Sequence, residues 1–194
     1  MTGEERSSDS YAETINIRMG EMVITATPGT MLTAIGLGSC IGLAIVSPKQ
    51  SIAGLAHVVL PDSEMALGHA LPPGKFADTA VLTLISQMIE AGAHRTQLKA
   101  AVVGGAAMFS SRRSLGVASV GQRNAEAAIR WLESLAIPLV GSDVGGELGR
   151  TVQVYAEDGR ILSRVSGQQP LELNPSGEVT HELSPTDVKI QQTA

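Results

Sequence analysis

The sequence predicts an α+β protein. Short apolar runs of strand length fill the chain up to Leu60. Two segments with helical periodicity follow, with one strand-like run between them and more strands after the second. Strands first, then helix, strand, helix and strands is not the strict alternation of a parallel α/β fold. No internal repeat is visible.

The elements follow in order. Ile15, Ile17 and Met19 alternate, as do Met22 and Ile24, which predicts short half-buried strands. Thr27-Pro28-Gly29 is a turn. Met31 to Ile35 reads as a strand running into the turn Gly36-Leu37-Gly38-Ser39-Cys40, and Ile41 to Val46 as a second, buried strand. Ser47-Pro48-Lys49-Gln50 reverses the chain into a strand over Ile52 to Val59. Pro61 to Lys75, with three prolines and two glycines, is a loop of the kind that can move. Phe76 to Ala93 is the clearest helix, with Val81, Leu82, Ile85, Met88 and Ile89 on one face and Gly92 near its end. Leu98 to Val103 is a strand ending at Gly104-Gly105, and Ser111 to Gly121 is a polar loop. Asn124 to Ala136 is a second helix, facing Ala128, Ile129, Trp131, Leu132 and Leu135 inward and stopped by Pro138. Leu139-Val140 opens another strand. Val152 to Tyr155 and Ile161 to Val165 form a hairpin across Asp158-Gly159. The polar segment 1–13 is expected to be disordered and 167–194 to be a flexible tail, leaving 14–166 as one domain.

Composition narrows the class. The 194 residues suffice for one core, and with 3% aromatics that core is built from aliphatic side chains. The net charge of -5 gives no electrostatic reason to expect nucleic acid or an anionic membrane as partner. Met22 to Pro48 carries no charge, but Pro28-Gly29 and the glycine turn before Cys40 interrupt it, so it reads as buried strands of a soluble protein. The segment Met1 to Glu13 carries four acids and does not read as a secretory signal. One cysteine excludes an internal disulfide and fits a reducing compartment.

That cysteine is the candidate nucleophile. Cys40 sits on a glycine-rich turn, and His57 follows on the next strand in Ala56-His57-Val58-Val59-Leu60-Pro61. A thiol beside an imidazole can attack a carbonyl, with the imidazole taking and returning the proton. Backbone N–H groups at Gly38 and Ser39 could face a developing oxyanion. A third group should orient the imidazole, and Thr33, Thr30 and Ser39 are candidates. Against this, a lone cysteine in an apolar run is more often a small core filler, and a histidine in an apolar strand a satisfied core residue. His57, His69, His94 and His181 show no metal-ligand spacing. Gly104-Gly105 and Gly145-Gly146 lack the lysine and helix of a phosphate loop. Arg112-Arg113 reads as a solvated loop pair.

Six stretches together resemble the CheD family, the chemoreceptor glutamine deamidases of bacterial and archaeal chemotaxis. They are Gly36–Cys40, Ala56–Pro61, Gly74-Lys75-Phe76-Ala77-Asp78, Gly104-Gly105-Ala106-Ala107-Met108-Phe109, Gly121-Gln122-Arg123-Asn124 with Glu126-Ala127, and Asp143-Val144-Gly145-Gly146. The resemblance implies a layered α/β sandwich of mixed sheets flanked by helices, similar to the catalytic domain of cytotoxic necrotizing factor toxins. It implies protein-glutamine glutaminase activity with Cys40 as nucleophile, His57 as base and no cofactor. The implied partners are the cytoplasmic helices of methyl-accepting receptors and a CheC-type phosphatase, which implies a cytoplasmic protein. The family's third residue, a threonine six positions before the cysteine, falls on Ala34. Its neighbour Thr33 would serve only if a bulge re-aimed it; otherwise Ser39, Thr30 or a backbone carbonyl would orient His57. The implied alternative is a non-catalytic regulator that binds receptor or phosphatase helices.

Overall fold

The computed structural model describes residues 13–107 and 118–174. Ten strands and two α-helices occur among them: β1 (Glu13–Asn16), β2 (Met22–Thr25), β3 (Thr30–Leu37), β4 (Ile41–Ser47), β5 (Ile52–Val58), α1 (Ala77–Glu90), β6 (Lys99–Gly104), α2 (Val120–Ser134), β7 (Leu139–Val144), β8 (Arg150–Tyr155), β9 (Ile161–Val165) and β10 (Leu171–Glu172). They build the expected α+β sandwich. One sheet has the order β1-β3-β8-β9-β10 and the other β2-β5-β4-β6-β7. Both are mixed, because β1–β3 and β6–β7 pair in parallel and the remaining neighbours antiparallel.

The sheets stack face to face through Leu32, Ala34, Val152 and Val154 on one side and Ala44, Val46, Leu55 and Val103 on the other. The far face of the second sheet is covered by α1 and α2 through Leu43, Ile45, Leu84, Met88 and Leu132. Strand β4 is therefore covered on both faces and every residue in it is buried. That explains why the run from Ile41 to Val46 is apolar at every position. Among the described residues, no helix is long and apolar enough to cross a membrane.

Both helices differ in phase from the sequence reading. α1 buries Ala77, Ala80, Val81, Leu84, Ile85 and Met88, while Leu82 and Ile89 are exposed. Small alanines complete the inward stripe and carry little weight in a count of large apolar residues. Each large side chain on that face adds about 1.5–3 kcal/mol of burial free energy. The loop before α1 is tied to it: Asp78 accepts the Ser63 N–H at 3.1 Å and its hydroxyl at 2.6 Å. α2 begins at Val120 rather than Asn124, so Gly121 is helical and not part of a loop. Ser119 caps it by accepting the Gln122 N–H at 3.1 Å. Trp131, expected inside, lies on the exposed flank.

The expected tail boundary falls short. Leu171 and Glu172 pair with β9, Leu173 is buried, and the Leu173 N–H donates to Ile161 O at 2.9 Å. Asn174 accepts the Ile161 N–H at 2.7 Å and donates to Gly159 O at 2.6 Å. These are bonds to an open sheet edge, made by backbone and one amide, so an apolar pattern did not signal them. The terminal segments 1–12 and 175–194, Met108-Phe109 and Arg112-Arg113, and His181 lie outside the described residues.

Candidate functional site

The site is built on the β4–β5 ladder. Gly42 lies opposite His57 and Ile41 opposite Val58. Residues opposite each other on an antiparallel pair share a face. A Cβ on Gly42 would meet Val152 Cγ1 at 2.6 Å and Leu37 Cδ1 at 3.0 Å, so this face looks into the layer between the sheets. Cys40, two residues before Gly42, packs on the same inter-sheet core. Cys40 and the His57 face of β5 therefore border the same inter-sheet layer, with Cys40 in the bend just before the ladder begins at Ile41. Cys40 is half-buried and Ser39 exposed, so the turn sits at the rim of the layer.

His57 is only 4% exposed. Its Nδ1 lies 3.3 Å from Ile17 O. A carbonyl can only accept, so Nδ1 carries the hydrogen and Nε2 keeps its lone pair. Nε2 is buried and has no hydrogen-bond partner among the described residues, the Cys40 thiol included. The segment between β1 and β2 also grips the strand: the Gly20 N–H donates to His57 O at 2.8 Å, and the His57 N–H donates to Glu21 O at 3.0 Å. Burial pushes the imidazole below the usual histidine range, opposed by the Ile17 carbonyl and the Glu21 carboxylate. Burial pushes the Cys40 thiol up. Both shifts favour the uncharged forms, and Nε2 keeps its lone pair.

The remaining candidates divide. The Thr33 hydroxyl donates to Val152 O at 3.1 Å. Leu32 and Ala34 face the inter-sheet core, which puts Thr33 on the other face of β3. The bulge that could have re-aimed it lies after Ala34, between Ala34 and Leu37. Thr33 reaches the site only through its backbone, as Thr33 O accepts the Ile17 N–H at 2.8 Å. Thr30 is buried with no partner for its hydroxyl among the described residues. A backbone carbonyl, that of Ile17, is the group that touches His57. The Gly38 N–H is engaged with Gly36 O at 2.9 Å and is not free for an oxyanion. The N–H groups of Ser39 and Cys40 have no partner among the described residues.

The other shared stretches surround this pair. Gly74 lies against the Gly20–Glu21 backbone that grips His57. Gly105 and Ala106 donate their N–H groups to Cys40 O at 2.9 Å and Gly38 O at 2.7 Å. The Gly145 N–H donates to Gly104 O and the Ala107 N–H to Gly146 O, at 2.9 and 2.8 Å. Arg150, paired with Asp143 at 2.8 Å, holds Gly145 O at 2.7 Å, and the Ser163 hydroxyl donates to the same carboxylate. Sequence reasoning missed the Ile17–Glu21 segment, because it acts through backbone atoms that any sequence carries. Among the described residues no three His, Cys, Asp or Glu side chains converge as metal ligands.

Fold and site together define a small two-sheet sandwich protein with a half-buried thiol and a buried imidazole bordering the layer between its sheets. The family described as CheD chemotactic sensory transduction matches residues 59–165. A probable chemoreceptor glutamine deamidase CheD of Symbiobacterium thermophilum is 41% identical over 86% of this chain and 99% of its own length. The chemoreceptor glutamine deamidase CheD of Halalkalibacterium halodurans is 37% identical over 83% of this chain and 99% of its own. That of Thermotoga maritima is 39% identical over 81% and 96%. A crystal structure of the Bacillus licheniformis protein YfiH superposes with a TM-score of 0.37 at 14% identity, over 63% of this chain and 49% of that one, a likeness too slight to bear on function. The chain belongs to the CheD family.

Proposed function

We propose that this chain is a cytoplasmic chemoreceptor glutamine deamidase, a protein-glutamine glutaminase with Cys40 as nucleophile and His57 as base. The observation that carries the reading is the ring of His57, whose Nδ1 faces the Ile17 carbonyl while Nε2 is left with an unused lone pair. Nε2 takes the thiol proton as sulfur attacks the glutamine carboxamide carbon. The carbonyl oxygen becomes an oxyanion facing the Ser39 and Cys40 N–H groups. The imidazolium returns its proton to the amide nitrogen, ammonia leaves, and a glutamyl thioester remains. His57 then deprotonates water, which attacks the thioester; the thiol departs with the proton and the product is glutamate. No step calls for a metal or organic cofactor.

The substrates are chemoreceptor glutamines, as the relatives' names support, and we place them on the cytoplasmic helices of methyl-accepting receptors. A CheC-type phosphatase helix is the second partner. Cys40→Ala is expected to abolish ammonia release from a receptor helical fragment with the fold intact, and His57→Ala to do the same while slowing alkylation of Cys40. Normal deamidation by Cys40→Ala would overturn the mechanism. The alternative of a non-catalytic regulator draws on Ala34, which places a bare methyl where the family has a threonine. Mass spectrometry of the receptor after incubation separates the two, since only catalysis converts a glutamine to glutamate.

A further inference from the structure

Asn124 is fully buried, yet it is polar and stands one turn into α2 at the inward face. Its Nδ2 donates to Ser39 O and to Val59 O, each at 2.9 Å. Both partners are acceptors, so the amide nitrogen is the atom that faces them. Its Oδ1 is buried with no partner among the described residues. An unpaired buried acceptor is destabilising, and an apolar residue of similar shape would avoid it. The fold keeps an amide here for its two donors.

Those donors complete a row. Gly38, Ser39 and Cys40 are successive residues, and all three carbonyls are held: by the Ala106 N–H, by Asn124 and by the Gly105 N–H. In a trans peptide the C=O and the following N–H point in opposite directions. Fixing the Gly38 and Ser39 carbonyls therefore aims the Ser39 and Cys40 N–H groups the other way, and these are the two left without partners. The helix that carries Asn124 is docked for this task. A Cβ on Gly121 would collide with the Gly105 carbonyl, so the first turn of α2 packs directly on the residue that holds Cys40 O.

We propose that Asn124 is a positioning residue for the oxyanion site. It anchors the Ser39–Cys40 peptide so that the Cys40 N–H points at the reacting oxygen, and its second bond ties that peptide to the strand of His57. This rests on the deamidase reading above.

The test compares Asn124→Ala and Asn124→Asp with the wild type in the full chain. Ammonia release from a receptor helical fragment gives kcat and KM, and iodoacetamide alkylation of Cys40 is followed in parallel. Alkylation displaces iodide and develops no oxyanion, so it reports the thiol and its base alone. The expected result is a fall in kcat of about 100- to 1,000-fold, the usual effect of losing an oxyanion donor. KM and the alkylation rate stay within about threefold of wild type. Asn124→Leu, which keeps the shape without burying a charge, carries the test where either of these variants fails to fold. In Asn124→Asp the carboxylate faces two carbonyls, so activity recovers as the pH is lowered and an O–H donor forms. Wild-type kcat in Asn124→Asp, or an equal loss of alkylation and deamidation, would overturn this inference alone. A wild type that releases no ammonia would overturn the deamidase reading and this inference with it.

Discussion

Gly42→Ala tests the face on which the site is built. The new Cβ would lie 2.6 Å from Val152 Cγ1 and 3.0 Å from Leu37 Cδ1. Leu37 offers the end of a flexible side chain and can yield; Val152 is β-branched, fully buried and fixed in the facing sheet. Overpacking of this kind costs about 1–3 kcal/mol. Replacing a strand glycine returns about 0.5–1 kcal/mol by restricting the unfolded chain. The net loss is about 1 kcal/mol, which lowers Tm by about 2–4 °C for a domain of this size. Val152→Ala alone is destabilising by roughly 2 kcal/mol through lost burial and a cavity. It also removes the methyl that the new Cβ strikes. In that background Gly42→Ala becomes neutral or stabilising, and the coupling between the two sites is about 1–3 kcal/mol. Urea titration of the four proteins, with unchanged m-values, measures the cycle. Because Gly42 faces His57 across the ladder, deamidation should fall in Gly42→Ala and recover partly in the double variant. A Gly42→Ala protein as stable as wild type, with no coupling to Val152, would refute the assignment of this face, and with it the placement of the His57 ring in the layer between the sheets.

Thr33→Val keeps the shape and removes the hydroxyl bonded to Val152 O, so it should cost about 1 kcal/mol in urea titration and leave kcat within about twofold; a loss of 100-fold or more would return Thr33 to the catalytic set. The depressed imidazole sets a pH signature: kcat/KM should hold to pH values below the usual histidine range before its acid limb appears, and an acid limb within or above that range would contradict it. Stability follows the same group with a definite sign, since the unfolded chain binds the His57 proton first; the contribution is complete above the unfolded value and is lost as pH falls through the folded one. Cys40 runs the other way: its neutral form is favoured by folding, so alkylation should keep accelerating past the usual thiol range, and a plateau at neutral pH would show a thiolate that burial does not predict.

Local pattern revealed the elements, and it singled out the candidate pair because both residues break their surroundings. Cys40 is a thiol on a glycine turn and His57 a titratable ring in an apolar strand. What stayed hidden is whatever depends on pairing across distance. β1 and β2 are consecutive and look alike, yet they enter different sheets. β10 is held by edge bonds rather than apolar burial. The ring of His57 is oriented by the carbonyl of Ile17, forty residues earlier in the chain, and no side-chain type marks a carbonyl. Asn124 was legible in principle. It lies on one stripe with Ala125, Ala128 and Leu132, and a lone amide on an inward stripe asks what it bonds. A helix taken to begin at Asn124 turned that amide into a terminus.

The electrostatics and the hydrogen-bond frame agree on how such a site can be selective. Burial of the thiol and burial of the imidazole both disfavour a resting ion pair, which would leave sulfur weakly reactive toward stray electrophiles. The groups that are preorganised serve later charge. Nε2 waits with its lone pair, and two N–H groups wait without partners at the turn. In the proposed mechanism, charge on sulfur and imidazole becomes favourable only as it passes to a carboxamide oxygen that those N–H groups can reach. Stabilisation is thereby withheld from the ground state and delivered in the transition state, which is the condition for raising kcat rather than affinity. In the proposed reaction a glutamine must be seated for that transfer to occur, so the receptor surface that presents the side chain would decide which amides react.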